Sequence, residues 1–74
     1  MAKRPRLKGK ELIRVLESID FSVVRVKGSH HILRHPDGRS TVVPVHSGEV
    51  IGAGLFNKIL RDIEMTAEEF ESLL

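Results

Sequence analysis

All four histidines of this 74-residue chain lie between positions 30 and 46, namely His30, His31, His35 and His46. Histidine is the side chain best suited to move protons near neutral pH. Polar and cationic residues stand around the first pair: Arg25, Lys27, Ser29 and Arg34. A base that takes the proton from a ribose 2′-OH, with cations to hold the charge on the attacked phosphate, can cleave RNA without a metal. DNA lacks the 2′-OH, so such a site would discriminate against it.

The two adjacent histidines cannot do the same work if they lie on a strand. Neighbouring strand residues point to opposite faces of a sheet, so His30 and His31 face different surroundings. His30 shares its face with Ile32 and Arg34, and His31 shares the other with Leu33 and His35. Both faces mix apolar and polar residues, so spacing alone leaves open which face the rest of the protein covers.

Composition excludes several classes of site. The chain has no cysteine, which removes disulfides, thiolate nucleophiles and cysteine-based zinc sites. Adjacent strand histidines diverge, which disfavours a metal site, since zinc needs three or four convergent ligands. A domain of this size buries only roughly 60% of its unfolded surface. We therefore expect a shallow surface site with no metal and no cofactor.

Charge is distributed unevenly along the chain. Residues 1–39 contain ten Lys or Arg against four Asp or Glu, whereas residues 40–74 contain two against six. A basic half fits a polyanionic partner, although a solvated surface explains the charge as well. Residues 1–8 are predicted to be a basic, flexible tail, either a phosphate-contacting arm or a solubilising start.

The remaining residues, 9–74, are predicted to form a single domain that contains both helices and strands. An apolar stripe at helical spacing predicts a helix over Lys10–Ile19, with Gly9 or Lys8 as its N-cap. β-Branched runs separated by turn residues predict three strands: Phe21–Lys27, His30–His35 and Ser40–Val45. A second helix is predicted from Leu55 to about Asp62, and a capping box at Thr66–Glu69 starts a third, short helix.

This order predicts an α+β fold, α-β-β-β-α, with a three-stranded antiparallel sheet and a short extra C-terminal helix. The amphipathic helices must cover one face of the sheet, and the other face is left for solvent or a partner. No apolar segment has the length of a membrane span or the pattern of a signal peptide. We therefore expect a cytoplasmic protein with no membrane contact.

The motifs resemble those of a known family. Val26–Arg39 holds a Gly-Ser-His-His turn followed by a His-Pro-Asp-Gly turn, and Thr41–His46 ends in Val-Pro-Val-His. With the helical segments Lys10–Leu16 and Asn57–Asp62, these motifs are similar to those of HicA-type (YcfA-like) toxins. The resemblance covers nearly the whole chain from Gly9 onward.

The resemblance implies a fold similar to double-stranded-RNA-binding domains and a metal-independent endoribonuclease that cleaves mRNA and halts translation. It also implies a HicB-type antitoxin that covers the active site. The family's catalytic histidine falls on His30, in the turn formed by Gly28 and Ser29. The RNA contacts predicted around it are Lys27, Gly28, Ser29, His31, Arg34 and His46.

Two departures and two alternatives accompany this interpretation. Asp20 stands where the family often has Gly, and the loop Glu49–Gly54 lacks a Lys often found before the second helix. The first alternative is a non-catalytic RNA-binding module of the same fold, against which the single Lys58 at the start of the second helix counts. The second is a pure protein-interaction partner, against which the intact Gly-Ser-His sequence argues.

Overall fold

The structure is a computed structural model that describes residues 5–74. Its elements are α1 (Gly9–Glu17), β1 (Ser22–Lys27), β2 (His30–Arg34), β3 (Ser40–Pro44), α2 (Ala53–Asp62) and α3 (Ala67–Glu71). The strands form one antiparallel sheet in the order β1-β2-β3. The predicted α+β class and the α-β-β-β-α order with a short C-terminal helix are confirmed.

Helix α1 packs through the apolar stripe that its sequence predicts. Leu12 and Leu16 are fully buried. The last helical residue is Glu17 rather than the predicted Ile19, and the helix stop falls at Asp20, which adopts a left-handed conformation with φ of 75°. The amide of Phe21 then donates to the carbonyl of Leu16 at 3.1 Å, which is the Schellman arrangement that stops a helix. Phe21 was predicted to begin the first strand. It belongs instead to this helix stop, and β1 begins at Ser22.

The helices cover the sheet face that carries Leu33 and Val43. Both side chains are fully buried and join one apolar cluster with residues of all three helices. His31 lies on this covered face, because its cross-strand partner in β3 is Val43. His30, the next residue along the strand, therefore lies on the uncovered face. The structure thus settles the choice that spacing alone left open.

The two C-terminal helices begin in different ways. Helix α2 starts at Ala53, two residues before the predicted Leu55, because its N-cap is Gly52, which has no side chain to mark the start. Helix α3 has the predicted capping box: the Glu69 amide donates to Thr66 Oγ1 at 3.0 Å, and the Thr66 amide donates to the Glu69 carboxylate at 2.8 Å. Within residues 5–74, no helix combines the length and apolar character needed to cross a membrane.

Leu7 and Lys8, which precede α1, contact the loop before α2. The amide of Ile51 donates to the carbonyl of Leu7 at 2.8 Å, and Lys8 forms an isolated antiparallel bridge with Val50. The first part of the predicted basic tail, residues 1–4, lies outside the described residues. The division into a flexible tail and a domain therefore stays a prediction.

Helix α1 approaches the end of β3 at Gly9. A Cβ atom on Gly9 would overlap the carbonyl oxygen of Pro44 and would lie 3.1 Å from its carbonyl carbon. Only glycine allows this close contact between the two backbones. The contact fixes the end of β3, which lies beside His30.

Candidate active site on the open face of the sheet

A two-residue turn places His30 at the start of the central strand. Gly28 has φ of 61° and Ser29 has no positive φ, the pattern of a type II′ turn, which takes glycine at its first central position. The carbonyl of Ser29 accepts the amide of Val45 at 2.8 Å and lies 3.2 Å from Nδ1 of His31. The backbone of the turn is thus held from the neighbouring strand, and this holds His30 in place.

The uncovered side of the sheet, here called the open face, consists of three cross-strand rows. The rows are Lys27–His30–Pro44, Arg25–Ile32–Val42 and Ser22–Arg34–Ser40. Cross-strand partners share a face, with Cα atoms about 4.5–5.5 Å apart. His30 therefore has Lys27 and Pro44 as direct neighbours, and the predicted contact Arg34 lies on the same face.

A β-bulge in β1 decides which cations reach the open face. The register shifts by one residue between Val23 and Arg25, so that Val24 is an extra residue. Without the bulge, simple alternation from Val23 would put Arg25 and Lys27 on the covered face. With the bulge, both side chains stand on the same face as His30.

The open face is cationic around an apolar centre. Its nine residues include three cations and no acid. Arg25, Lys27, Arg34 and His30 are all exposed. In the part of the chain that the structure describes, none of them takes part in an ion pair. An exposed surface with unengaged cations and no carboxylate attracts a polyanion such as nucleic acid.

The structure separates the other strand histidines from His30. His31 is half-buried on the covered face and contacts the turn through the carbonyl of Ser29. His35 lies at the far end of β2, where its Nδ1 is 3.1 Å from the amide of Asp37 and its ring packs edge-on against Phe21 at 5.1 Å. Of the predicted site residues, Lys27, Gly28, Ser29 and His30 come together at the turn, and Arg34 lies on the same face two rows away. His31 acts on the turn from the opposite face.

His46 lies just beyond β3, on the rim of a surface pocket. It is exposed, and its carbonyl accepts the amide of Glu49 at 3.1 Å across a turn in which Gly48 has φ of 77°. The pocket is also lined by Pro44, the cross-strand partner of His30. The structure therefore places the predicted contact His46 beside the His30 row rather than within it.

Two residues of this region were not among the predicted site residues. Arg25 was named only among the cations near the histidine pair, because nothing in the sequence marks the bulge that turns it to the open face. Glu49 was missed because its loop shows only a pattern of glycines, and the pocket that it lines depends on how this loop folds against β3.

No metal site is evident in the described residues. Within residues 5–74, no group of three or more His, Asp or Glu side chains is placed to hold an ion. This finding concerns the arrangement of side chains only. The expectation that the chemistry needs neither metal nor cofactor stays a prediction.

Comparison with known proteins supplies the family. The model of a family described as the HicA toxin of bacterial toxin–antitoxin systems matches residues 9–65, and no curated protein matches the sequence closely. The matched segment contains α1, the whole sheet and α2, and therefore every residue of the open face. The chain belongs to the HicA toxin family.

Proposed function

We propose that this chain is an mRNA-cleaving endoribonuclease and that His30 is its catalytic base. Membership of the family makes it the toxin of a toxin–antitoxin system, with a cognate antitoxin as partner. The observation that carries the proposal is the position of His30: it is exposed, on a rigid turn, on a cationic face that has no carboxylate.

The proposed reaction is an intramolecular transesterification. His30 removes the proton from a ribose 2′-OH, and the 2′ oxygen attacks the adjacent phosphorus atom. The bond to the 5′ oxygen of the next nucleotide breaks, and that oxygen takes up a proton. The products are a 2′,3′-cyclic phosphate and a free 5′-OH, so no metal-bound water is consumed in this step. The requirement for the 2′-OH confines the reaction to RNA.

The cations of the open face support this step. Lys27, the direct cross-strand neighbour of His30, is best placed to hold the phosphate under attack. Arg25 and Arg34 lie in the next two rows and bind the flanking phosphates. Gly28 and Ser29 contribute through the turn that they form. His46 contacts a nucleotide on the β3 side, and His31 supports the turn from the covered face.

The antitoxin is proposed to be a HicB-type protein that covers the open face. Ile32 and Val42 form an apolar centre there, with Val42 38% exposed. A partner with apolar and acidic side chains would bury this centre and pair with the surrounding cations. Binding at this place would also block access to His30.

The experiment compares His30→Ala with His31→Gln in purified full-length protein, in buffer containing a chelator. We expect His30→Ala to slow RNA cleavage by about 10²–10⁴-fold, the usual contribution of a positioned base. His31→Gln should keep most of the activity, since its side chain lies on the covered face. Circular dichroism checks that both variants fold, and mass spectrometry of the fragments checks for the cyclic phosphate.

Three outcomes contradict the proposal. Cleavage at the wild-type rate by folded His30→Ala removes His30 as the base. Loss of cleavage on adding the chelator shows that a metal is needed. Salt-dependent RNA binding by wild type without any cleavage product indicates the non-catalytic RNA-binding module.

A further inference from the structure

The pocket at the end of β3 adjoins the candidate active site. It has a volume of about 260 Å³ and is lined by Pro44, His46, Glu49, Ile51 and Leu55, among others. Pro44 is the cross-strand partner of His30, so their Cα atoms are about 5 Å apart. Pro44 therefore belongs both to the row of His30 and to the lining of this pocket.

The pocket has an apolar floor and a polar rim. Ile51 is buried, and Leu55 and Pro44 are half-buried, whereas His46 and Glu49 are exposed. The rim residues are held together by the hydrogen bond from the Glu49 amide to the His46 carbonyl, at 3.1 Å. Gly48 takes the left-handed conformation that this turn requires, with φ of 77°. One flat ring and one carboxylate thus border the same apolar hollow.

We propose that this pocket receives an unpaired nucleobase next to the bond that is cut, and that Glu49 makes it prefer guanine. The inference rests on the proposed ribonuclease function and specifies the substrate of that site. Single-stranded RNA is read by splaying out a base, packing it against a ring and bonding its Watson–Crick edge. The rings of His46 and Pro44 and the carboxylate of Glu49 supply these two kinds of contact.

Size and charge favour a base over other occupants. Pockets for drug-sized ligands span roughly 300–1,000 Å³, so about 260 Å³ suits one base rather than a longer segment. A carboxylate on the rim repels a phosphate but accepts hydrogen bonds from N–H groups. Among the RNA bases, guanine presents two adjacent N–H donors, on N1 and the N2 amino group, which match both oxygens of one carboxylate.

The first test titrates isotope-labelled full-length protein with guanosine, inosine and uridine 5′-monophosphates and follows the backbone amides by NMR. Inosine lacks the N2 amino group and isolates that contact. We expect the amides of residues 46–52 and Leu55 to shift, and guanosine to bind about tenfold more tightly than inosine, as for a good bidentate pair. Glu49→Gln should bring the nucleotides within about twofold, because an amide cannot accept both N–H groups. Glu17→Gln, which changes the net charge equally, is the control.

The second test maps cleavage sites on a random RNA library with wild type, Glu49→Gln and Glu17→Gln. Enrichment of guanine at one position beside the cut, lost only in Glu49→Gln, supports the proposal. Equal binding of all nucleotides, no shift of the amides of residues 46–52 and Leu55, or unchanged cleavage positions in Glu49→Gln overturn it and leave the proposed ribonuclease intact. If the wild-type protein binds guanosine monophosphate at the pocket but cuts no RNA, the proposed ribonuclease function is wrong and the proposed base-binding pocket is supported.

Discussion

The two turns of the sheet use their side chains in opposite ways. In the turn between β2 and β3, the amide of Arg39 donates to the Asp37 carboxylate at 3.0 Å and its Nε to the other carboxylate oxygen at 2.7 Å. Nη1 of Arg39 reaches the Ile63 carbonyl at 2.6 Å, and the guanidinium lies 5.2 Å from the Phe21 ring centroid. In the turn between β1 and β2, a backbone hydrogen bond from the Val45 amide holds Ser29, and the side chains of Lys27 and His30 stay exposed.

The difference indicates that the β2–β3 turn stabilises the fold, whereas the β1–β2 turn is suited to binding a substrate. At the β2–β3 end, the side chain of Arg39 joins the turn to Ile63, the C-cap of α2. At the β1–β2 end, the Val45 amide holds the backbone at Ser29, but the cations have no acidic partner within residues 5–74. A preorganised backbone that leaves its side chains available suits substrate binding, because the geometry is fixed before the substrate arrives.

Replacing Arg39 gives the largest expected effect on stability. Arg39→Ala removes a charged hydrogen bond to a half-buried carbonyl, the pair with Asp37 and the contact with Phe21. We expect the free energy of unfolding to fall by about 2–3 kcal/mol. Arg25→Ala, which removes an exposed cation of the open face, should change it by no more than about 0.5 kcal/mol.

Urea unfolding measures both variants, and RNA cleavage well below the unfolding midpoint provides the second readout. Arg39→Ala should retain cleavage, while Arg25→Ala should weaken RNA binding. Equal destabilisation by the two substitutions would remove the distinction between the two ends.

A substitution at Gly9 tests whether the end of β3 beside His30 is held by its backbone contact with α1. Gly9→Ala forces a Cβ onto the carbonyl of Pro44, and such overpacking costs about 1–3 kcal/mol. Because Pro44 adjoins His30, cleavage should fall even where the protein remains folded. Gly54→Ala is the matched control, since its Cβ meets nothing within 4 Å, and in α2 it should stabilise by about 0.5–1 kcal/mol.

Thermal unfolding and cleavage rates measured side by side decide this prediction. If Gly9→Ala is as stable and as active as wild type, β3 is not held by its contact with α1.

Periodicity and turn chemistry were enough to predict the element order. The apolar stripe of α1, the strand at His30 and the capping box at Thr66 each follow from local rules, and the structure confirms them. The covered face was not predictable, because both faces of β2 alternate apolar and polar residues. The bounds of the helices differ by up to two residues from the predicted ones, as at α2, whose N-cap Gly52 has no side chain to mark the start.

The candidate site was predictable only where a motif marks it. The Gly-Ser-His sequence identifies His30 and its turn, and the structure places Lys27 and Arg34 on the same face. The bulge at Val24 carries no such mark, although it turns Arg25 to that face. The rim residue Glu49 depends on contacts between a loop and β3, and such long-range packing cannot be read from local spacing.

The acid limit of stability should arise at the β2–β3 turn and give the smallest of these effects. The hydrogen bond from the Arg39 amide lowers the pKa of Asp37 below its ordinary value of 3.8; desolvation opposes this shift, and the Arg39 side chain adds to it. A lowered folded-state pKa stabilises the protein fully above the unfolded value, and the contribution is lost as the pH falls through the folded pKa. The Thr66 amide and side chain lower the pKa of Glu69 in the same way.

Urea midpoints measured from pH 7 downward should therefore be level above about pH 5 and decline below about pH 4. The decline should be less steep in Asp37→Asn, because this substitution removes one of the two carboxyl groups whose pKa is lowered. Glu69→Gln should remove the other part, and an unchanged acid slope in both variants would place the acid sensitivity outside the β2–β3 turn and the α3 cap.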